Sequence, residues 1–304
     1  MSSAQQQNRR AGHSIWYTHC RVSSDYTTVG HVTADVMADG SRRPGGGAFY
    51  SALQAARLGW RACIVTRGVR AEIEQLLAPY AAELELEVLQ AAHTTTLATS
   101  TADGARSQRM LAWAGELGPH VRVDTRILHL APVARETCGR WHGPARFVGL
   151  TPQGLVRTWA QLGAPVVAQA LDRSLLPQRC DAIVISSSER DSCSTLLEQL
   201  GEAERTGRAV GPLLAVTDAA GPTELYMPTG GREQVPVVPV DAARDDIGAG
   251  DVFAAAFFVE LAEGATAQRA ARFANAAAAV RIAGSGAGAI GDRAAIRARA
   301  LAAG

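Results

Sequence analysis

The sequence predicts an α/β protein with one central, mostly parallel β-sheet, helices on its faces and a small strand-built excrescence. Three observations carry this. A β-rich stretch over residues 27–35 is followed by turn chemistry, then by Gly45-Gly46-Gly47, a helical pattern and a buried strand at 61–66, the order in which a parallel sheet begins. Strand candidates and helical patterns then alternate down the chain. No low-complexity linker or internal repeat divides the 304 residues, so a single domain over 15–304 is the economical organisation.

In order, residues 1–14 are polar, carry Arg9 and Arg10 and read as a disordered tail rather than a signal peptide. Residues 27–35 form a strand ending in a polar tip, and Asp39-Gly40 supplies a turn. The helix after Gly47 spaces Phe49, Leu53, Ala56 and Leu58 along one face, and Gly59 can close it. Residues 83–89 alternate acidic and apolar side chains, as a half-buried strand does. Residues 94–111 are Thr-rich with a turn at Asp103-Gly104, which predicts a hairpin. Strands follow at 126–131, 146–150, 164–168, 181–186 and 213–217, with a helix at 194–205. A late antiparallel pair is expected at 223–227 and 234–240, then two Ala-rich helices at 252–261 and 267–283.

The chemistry-bearing stretch is Asp245-Asp246-Ile247-Gly248-Ala249-Gly250-Asp251, placed before the apolar run that starts at Val252. Small residues between acidic ends, feeding a helix, offer first-turn N–H groups to an anion. A carboxylate at Asp251 beside such a site repels a phosphate unless it has work to do, such as taking a proton from an attacking hydroxyl. Read alone, the stretch is either that or a helix cap.

Composition narrows the classes. A formal net charge of +1 gives no field for nucleic acid or a membrane surface. All 30 basic residues are arginine, which excludes the lysine-containing P-loop, a lysine Schiff base and the strand lysine of protein kinases. Phosphate chemistry would have to run on backbone amides, arginine and metal. Five cysteines without a C-x-x-C pair fit free thiols in a reducing cytoplasm better than a disulfide framework.

Three motifs in order resemble the ribokinase-like (PfkB) family of carbohydrate and nucleoside kinases. The family's D-T-x-G-A-G-D corresponds to Asp245 through Asp251. Its di-glycine followed by A-x-x-x-A-R-L-G corresponds to Gly45-Gly46-Gly47, Ala52, Ala56, Arg57, Leu58 and Gly59. Its early G-x-x-x-x-D corresponds to Gly30 through Asp35. The resemblance implies a three-layer fold with a small β lid from about 36–46 and 92–113. It implies ATP as donor, Mg²⁺, a small polyol or sugar as acceptor and, through the lid, a homodimer. Asp251 would be the general base, and Gly248, Ala249 and Gly250 the anion hole. Asp35, Gly46 and Gly47 would bind substrate, Thr217, Gly221 and Asn275 would lie at the nucleotide, and Glu189 would serve Mg²⁺. A monovalent cation, K⁺ in many members, would lie near Asp245.

Four departures qualify the match. Tyr50 stands where ribokinases often carry a substrate-binding Asn. Ser186 replaces the Asn of N-x-x-E, Asp246 replaces the usual Thr or Ser, and the T-x-G-x-x-G nucleotide loop is reduced to Thr217-Asp218-Ala219-Ala220-Gly221. The stretch from Gly30 to Asp35, Tyr50 and Thr151-Pro152-Gln153-Gly154-Leu155-x-Arg157 resemble the inositol and cyclitol branch. Tyr50 could cover a ring or simply pack in the core; Arg157 could meet the substrate or simply face solvent. The alternatives are a nucleoside or phosphosugar kinase, or a non-catalytic sugar or nucleotide sensor on the same fold. A dinucleotide-binding dehydrogenase fits less well, because the first glycine turn lacks G-x-G-x-x-G spacing.

Overall fold

The computed structural model describes residues 21–102, 105–118, 122–141, 143–206 and 211–302. The expected tail at 1–14 and the expected turn at Asp103-Gly104 lie outside the described residues.

The strands are β1 (Arg21–Val29), β2 (Thr33–Val36), β3 (Arg42–Gly45), β4 (Ala62–Gly68), β5 (Leu84–Gln90), β6 (Thr96–Ala102), β7 (Ala105–Ala112), β8 (Arg122–Leu130), β9 (Ala145–Leu150), β10 (Arg157–Thr158), β11 (Val167–Ala168), β12 (Ala182–Ser186), β13 (Leu213–Asp218), β14 (Gly221–Tyr226) and β15 (Arg232–Val235). The helices are α1 (Gly47–Arg57), α2 (Arg70–Leu77), α3 (Ser194–Thr206), α4 (Ala249–Ala262), α5 (Ala267–Ile282) and α6 (Arg293–Leu301).

Nine strands form the central sheet in the order β15-β14-β13-β12-β9-β8-β1-β4-β5. The seven from β13 to β5 pair in parallel, and β14 and β15 add an antiparallel edge. The parallel strands are apolar on both faces, which a sheet covered on both sides requires. Ala182 and Val184 face one core with Leu213 and Ala215, while Ile183 and Ile185 face the other with Leu214 and Val216. The first core is closed by α1, α4, α5 and α6, the second by α3 and neighbouring loops. α4 is apolar all round, with every residue from 252 to 260 buried, because it lies between the sheet and the other helices. None of the described helices is long and apolar enough to cross a membrane.

A second sheet, β3-β2-β6-β7, stands beside the first. Here the expectation at 27–35 is corrected. β1 starts earlier, at Arg21, and ends at Val29; the chain then bends, and Thr33 and Asp35 belong to the small sheet, with Asp35 paired to Arg43 and Leu97. The bend is fixed by protein groups: the His31 N–H donates to Glu136 at 2.8 Å and the Val32 N–H to Thr66 at 2.8 Å. The strand expected at 164–168 is also corrected. Only Val167 and Ala168 are strand, paired with β10 outside the central sheet, because 163–166 instead lie along β7. The late pair forms, but its second strand stops at Val235, since Pro236 has no N–H to give a ladder.

Candidate active site

The small residues between Asp245 and Asp251 fold into a tight turn that becomes α4. The Ile247 N–H donates to Asp245 Oδ1 at 3.0 Å, and the Ala249 N–H turns back to the Asp246 carbonyl at 3.1 Å. Gly248 has φ 80°, a left-handed conformation costing other L-residues about 1–2 kcal/mol. The Tyr50 ring also fills the space a Cβ there would need. Among the described residues, no protein group accepts from the N–H of Gly248 or Gly250. Both lie at the positive end of α4, where orphan first-turn amides and the helix dipole favour an anion.

Asp251 sits in the first turn of α4, against the start of α1. A Cβ built on Gly47 would lie 2.7 Å from Asp251 Oδ1, so the carboxylate occupies the place where Gly47 lacks a side chain. Ser51 Oγ donates to the Asp251 carbonyl at 3.1 Å and ties the two helix starts together. Gly46, at φ 92°, caps α1. Asp35, which also lines the cavity, is 6% exposed and its Oδ1 accepts from Thr33 Oγ1 at 2.7 Å.

Tyr50 lies between these groups. Burial raises its phenol well above the ordinary range; the Arg281 guanidinium opposes this, and the carboxylates of Asp35, Asp245 and Asp251 add to it. Its hydroxyl therefore stays protonated. Behind Thr151, which lines the cavity, lies a neutral chain: Tyr26 Oη and His129 Nδ1 are 2.9 Å apart, and His129 Nε2 is 3.1 Å from Thr151 Oγ1. Burial pushes His129 down to about 3.

One cavity of about 1030 Å³ is lined by Asp35, Gly46, Gly47, Tyr50, Thr151 and Gly248 to Asp251 together. At one end Thr33, Asp35, Tyr50, Gln108, Gln153 and Arg157 offer polar groups. At the other Val237, Val238, Val240, Ala278, Ala279 and Ile282 form an apolar wall beside Asn275. Gly248 to Asp251 lie on the same wall, with Ser186 to Glu189 also lining the cavity. Polar groups, an anion site and an apolar wall along one cavity of this size make a small-molecule site.

Residues 168–293 match the model of the pfkB family carbohydrate kinases. No curated protein matches the chain. The solved structures that resemble it include a sulfate complex of a pyrophosphate-dependent kinase in the ribokinase family, with TM-score 0.68 and 20% identity over 91% of this chain and 99% of that one. Arabidopsis thaliana ribokinase complexed with ribose and ATP gives TM-score 0.66 and 17% identity over 92% and 99%. The Methanocaldococcus jannaschii nucleoside kinase gives 0.63 and 16% over 91% and 98%. The fold is ribokinase-like.

Within this ribokinase-like fold, most residues anticipated from the sequence meet at the cavity: Asp35, Gly46, Gly47, Tyr50, Arg157, Glu189, Thr217, Gly248, Ala249, Gly250, Asp251 and Asn275 line it. Two do not. Gly221 lies on the tight hairpin after β13, against the Asp218 side chain, because the shortened loop leaves only Ala219 and Ala220 at the turn. Asp245 is turned away and engaged by Arg281 and the Gly286 N–H. Asn275 lines the wall with its amide already used: it accepts from Thr223 at 2.8 Å and donates to the Pro236 carbonyl at 2.9 Å. Its amide thereby ties the apolar wall to β14 and to the chain after β15. Thr217 Oγ1 likewise donates to the Ile185 carbonyl, at 3.3 Å.

Mg²⁺ and a monovalent cation fare differently. Among the described residues no three His, Cys, Asp or Glu side chains form a metal cage. Mg²⁺ held mainly by phosphates and water needs none. Glu189 suits that outer role: one oxygen accepts from the Ser186 N–H at 2.9 Å, and Ser186 returns a side-chain bond to complete a capping box. Near Asp245 the residues do not fit a second cation, because Arg281 already engages its Oδ2 and its main-chain carbonyl.

Two buried charges that hold the loops around the cavity escaped the sequence reading. Glu136 is 1% exposed and accepts from the N–H groups of His31, Val133 and Ala134, joining the bend after β1 to the loop after β8. Nothing in its local pattern distinguishes it. Arg281 left a signal: it follows Ala270, Ala274 and Ala277 at helical spacing, a lone charge on an otherwise buried face.

Proposed function

We propose that the protein is an ATP-dependent phosphotransferase of the PfkB family acting on a hydroxyl of a small polyol or sugar, with a cyclitol such as inositol as the preferred acceptor class. The observation that carries this reading is the Asp251 carboxylate packed against Gly47, following Gly248 and Gly250 at the start of α4 and lining the same cavity as Asp35. A base, an anion site and a hydroxyl-binding carboxylate around one space are the parts that phosphoryl transfer needs.

In this reading Asp35 and Thr33 hold acceptor hydroxyls, Tyr50 covers an apolar ring face, and Arg157 and Gln153 complete the pocket. The attacking hydroxyl gives its proton to Asp251 as its oxygen bonds to the γ-phosphorus. The bond from that phosphorus to the β,γ-bridging oxygen breaks, and ADP leaves. Proton acceptance of this kind contributes about 10²–10⁴ in rate. The amides of Gly248 to Gly250 act on charge that grows in the transition state. Mg²⁺, when bound, would supply positive charge to the phosphates, and Glu189 would hold one of its waters. The apolar wall from Val237 to Ile282 supports a nucleotide donor, since pyrophosphate would leave it unused. A homodimer paired through the small sheet and a cytoplasmic setting complete the proposal.

The test is a panel of cyclitols, hexoses, phosphosugars and nucleosides incubated with Mg²⁺ and either ATP or pyrophosphate, scored by product phosphate. Cyclitol phosphorylation with ATP is expected, with Asp251→Asn retaining ATP binding and losing nearly all turnover. Preference for phosphosugars or nucleosides would overturn the acceptor, and preference for pyrophosphate the donor. Binding of sugars without turnover would favour the sensor, and full activity of Asp251→Asn would end the catalytic assignment.

A further inference from the structure

Arg281, near the end of α5, is wholly buried. A guanidinium stays charged at any ordinary pH, and burying one is costly unless oxygens surround it. The oxygens here all come from the turn that precedes α4. Nη1 donates to the Asp245 carbonyl at 3.1 Å, and Nη2 donates to Asp245 Oδ2 at 2.9 Å and to the Ile247 carbonyl at 2.6 Å. The same carboxylate accepts from the Gly286 N–H at 2.8 Å, so the turn is clasped from the loop after α5 as well. Nε has no hydrogen-bond partner among the described residues. The guanidinium carbon lies 5.9 Å from the centre of the Tyr50 ring, and that ring packs on Gly248.

One carboxylate oxygen and two carbonyl oxygens converging from a three-residue turn make the kind of oxygen set that holds a monovalent cation. Arg281 fills it with a cation of the protein's own. A potassium ion entering the same oxygens would meet a fixed positive charge at contact distance, in surroundings that screen poorly. Burial by itself would raise the Asp245 carboxyl; the Gly286 N–H, the Arg281 guanidinium and the Ile247 N–H outweigh it and hold the carboxyl below its ordinary range. The pair is therefore ionised on both sides at neutral pH.

We infer that Arg281 is a built-in cation that holds the Asp245–Gly248 turn in its anion-binding shape, and that this protein dispenses with a monovalent metal ion. Arg281 touches neither acceptor nor phosphate in this arrangement and acts as a positioning residue. The catalytic part of the inference rests on the kinase reading; the structural part does not.

The experiment compares wild type, Arg281→Ala and Arg281→Lys in potassium chloride, guanidinium chloride at low concentration, and tetramethylammonium chloride at equal ionic strength. Thermal midpoints are read for all three proteins, and turnover with ATP and the best acceptor where one has been found. Wild type should show the same midpoint and the same turnover in potassium as in tetramethylammonium. Arg281→Ala should melt earlier and lose on the order of 10²-fold in kcat, the cost of misplacing catalytic groups by about 1 Å. Potassium or guanidinium should restore part of both losses, and tetramethylammonium neither. Should Arg281→Ala fail to fold, Arg281→Lys serves: a single flexible ammonium replaces the rigid two-nitrogen fork that holds the three oxygens, so kcat falls while the KM of the acceptor holds. Activation or stabilisation of wild type by potassium beyond the tetramethylammonium control would overturn the inference, as would an Arg281→Ala protein with unchanged midpoint and turnover. Absence of turnover with every acceptor would count against the kinase reading alone, since the midpoints still decide the cation.

Discussion

At the scale of single residues, the site is made of places where a side chain is missing as much as of those present. Gly47 shows this most directly. A methyl group there meets Asp251 Oδ1 at 2.7 Å, inside any normal contact, so the carboxylate must turn or the start of α1 must shift. Alanine is also the better helix former, by about 0.8–1.0 kcal/mol. Gly47→Ala should therefore leave thermal stability unchanged or slightly raised while lowering kcat by at least about tenfold, a fraction of the ~10² that 1 Å of misplacement costs. Steady-state kinetics beside a melting curve would check this. Activity equal to wild type would mean that Asp251 needs no fixed position.

Among elements, the joint between neighbouring strands of the central sheet carries a pH dependence. Tyr26 on β1, His129 on β8 and Thr151 after β9 form one hydrogen-bonded chain under the cavity. His129 is fully buried, and burial lowers it from the usual 6.5 to about 3. The folded state therefore holds neutral histidine where the unfolded chain takes up a proton. The stability tied to this group is complete above about pH 6.5 and declines as pH falls toward 3, by up to ~1.4 kcal/mol per pH unit. His129→Gln should flatten that decline, seen as urea midpoints that differ less between pH 7 and pH 5 than those of wild type. Part of the slope should persist, because His31 is also buried and lowered, by desolvation first, with Glu136 opposing. Equal slopes in the two proteins would show that His129 is not the group responsible.

For the whole molecule, the two sheets divide the labour. The nine-stranded sheet carries α1 and α4, whose starts meet at the cavity, and the four-stranded sheet adds Asp35, Leu97 and Gln108 to its lining. Residues 163–166 lie along part of β7 and satisfy backbone groups at Gln108 and Met110, which blunts that edge against uncontrolled strand addition. The proposed homodimer would then pair through the remaining surface of the small sheet. Light scattering should give a solution mass of twice the 31.9 kDa of one chain, and a mass of one chain would remove the dimer from the proposal.

Local chemistry made the α/β class, the glycine turn at 245–251 and the opening of α1 legible in the sequence, because each depends on residues adjacent in the chain. Alternating apolar strands, small residues before an Ala-rich helix and glycines before an amphipathic one need no distant partner to be recognised. Only the tertiary structure could decide what lies far apart in sequence and near in space. It split residues 27–35 between two sheets, since the bend depends on Glu136, more than a hundred residues away. It tied the Asn275 amide to Thr223 and Pro236, and it set Gly221 on a shortened hairpin beside Asp218. It also set Arg281 against the oxygens of Asp245 and Ile247, 36 and 34 residues away, because a buried charge takes whatever partners the packed helices bring to it.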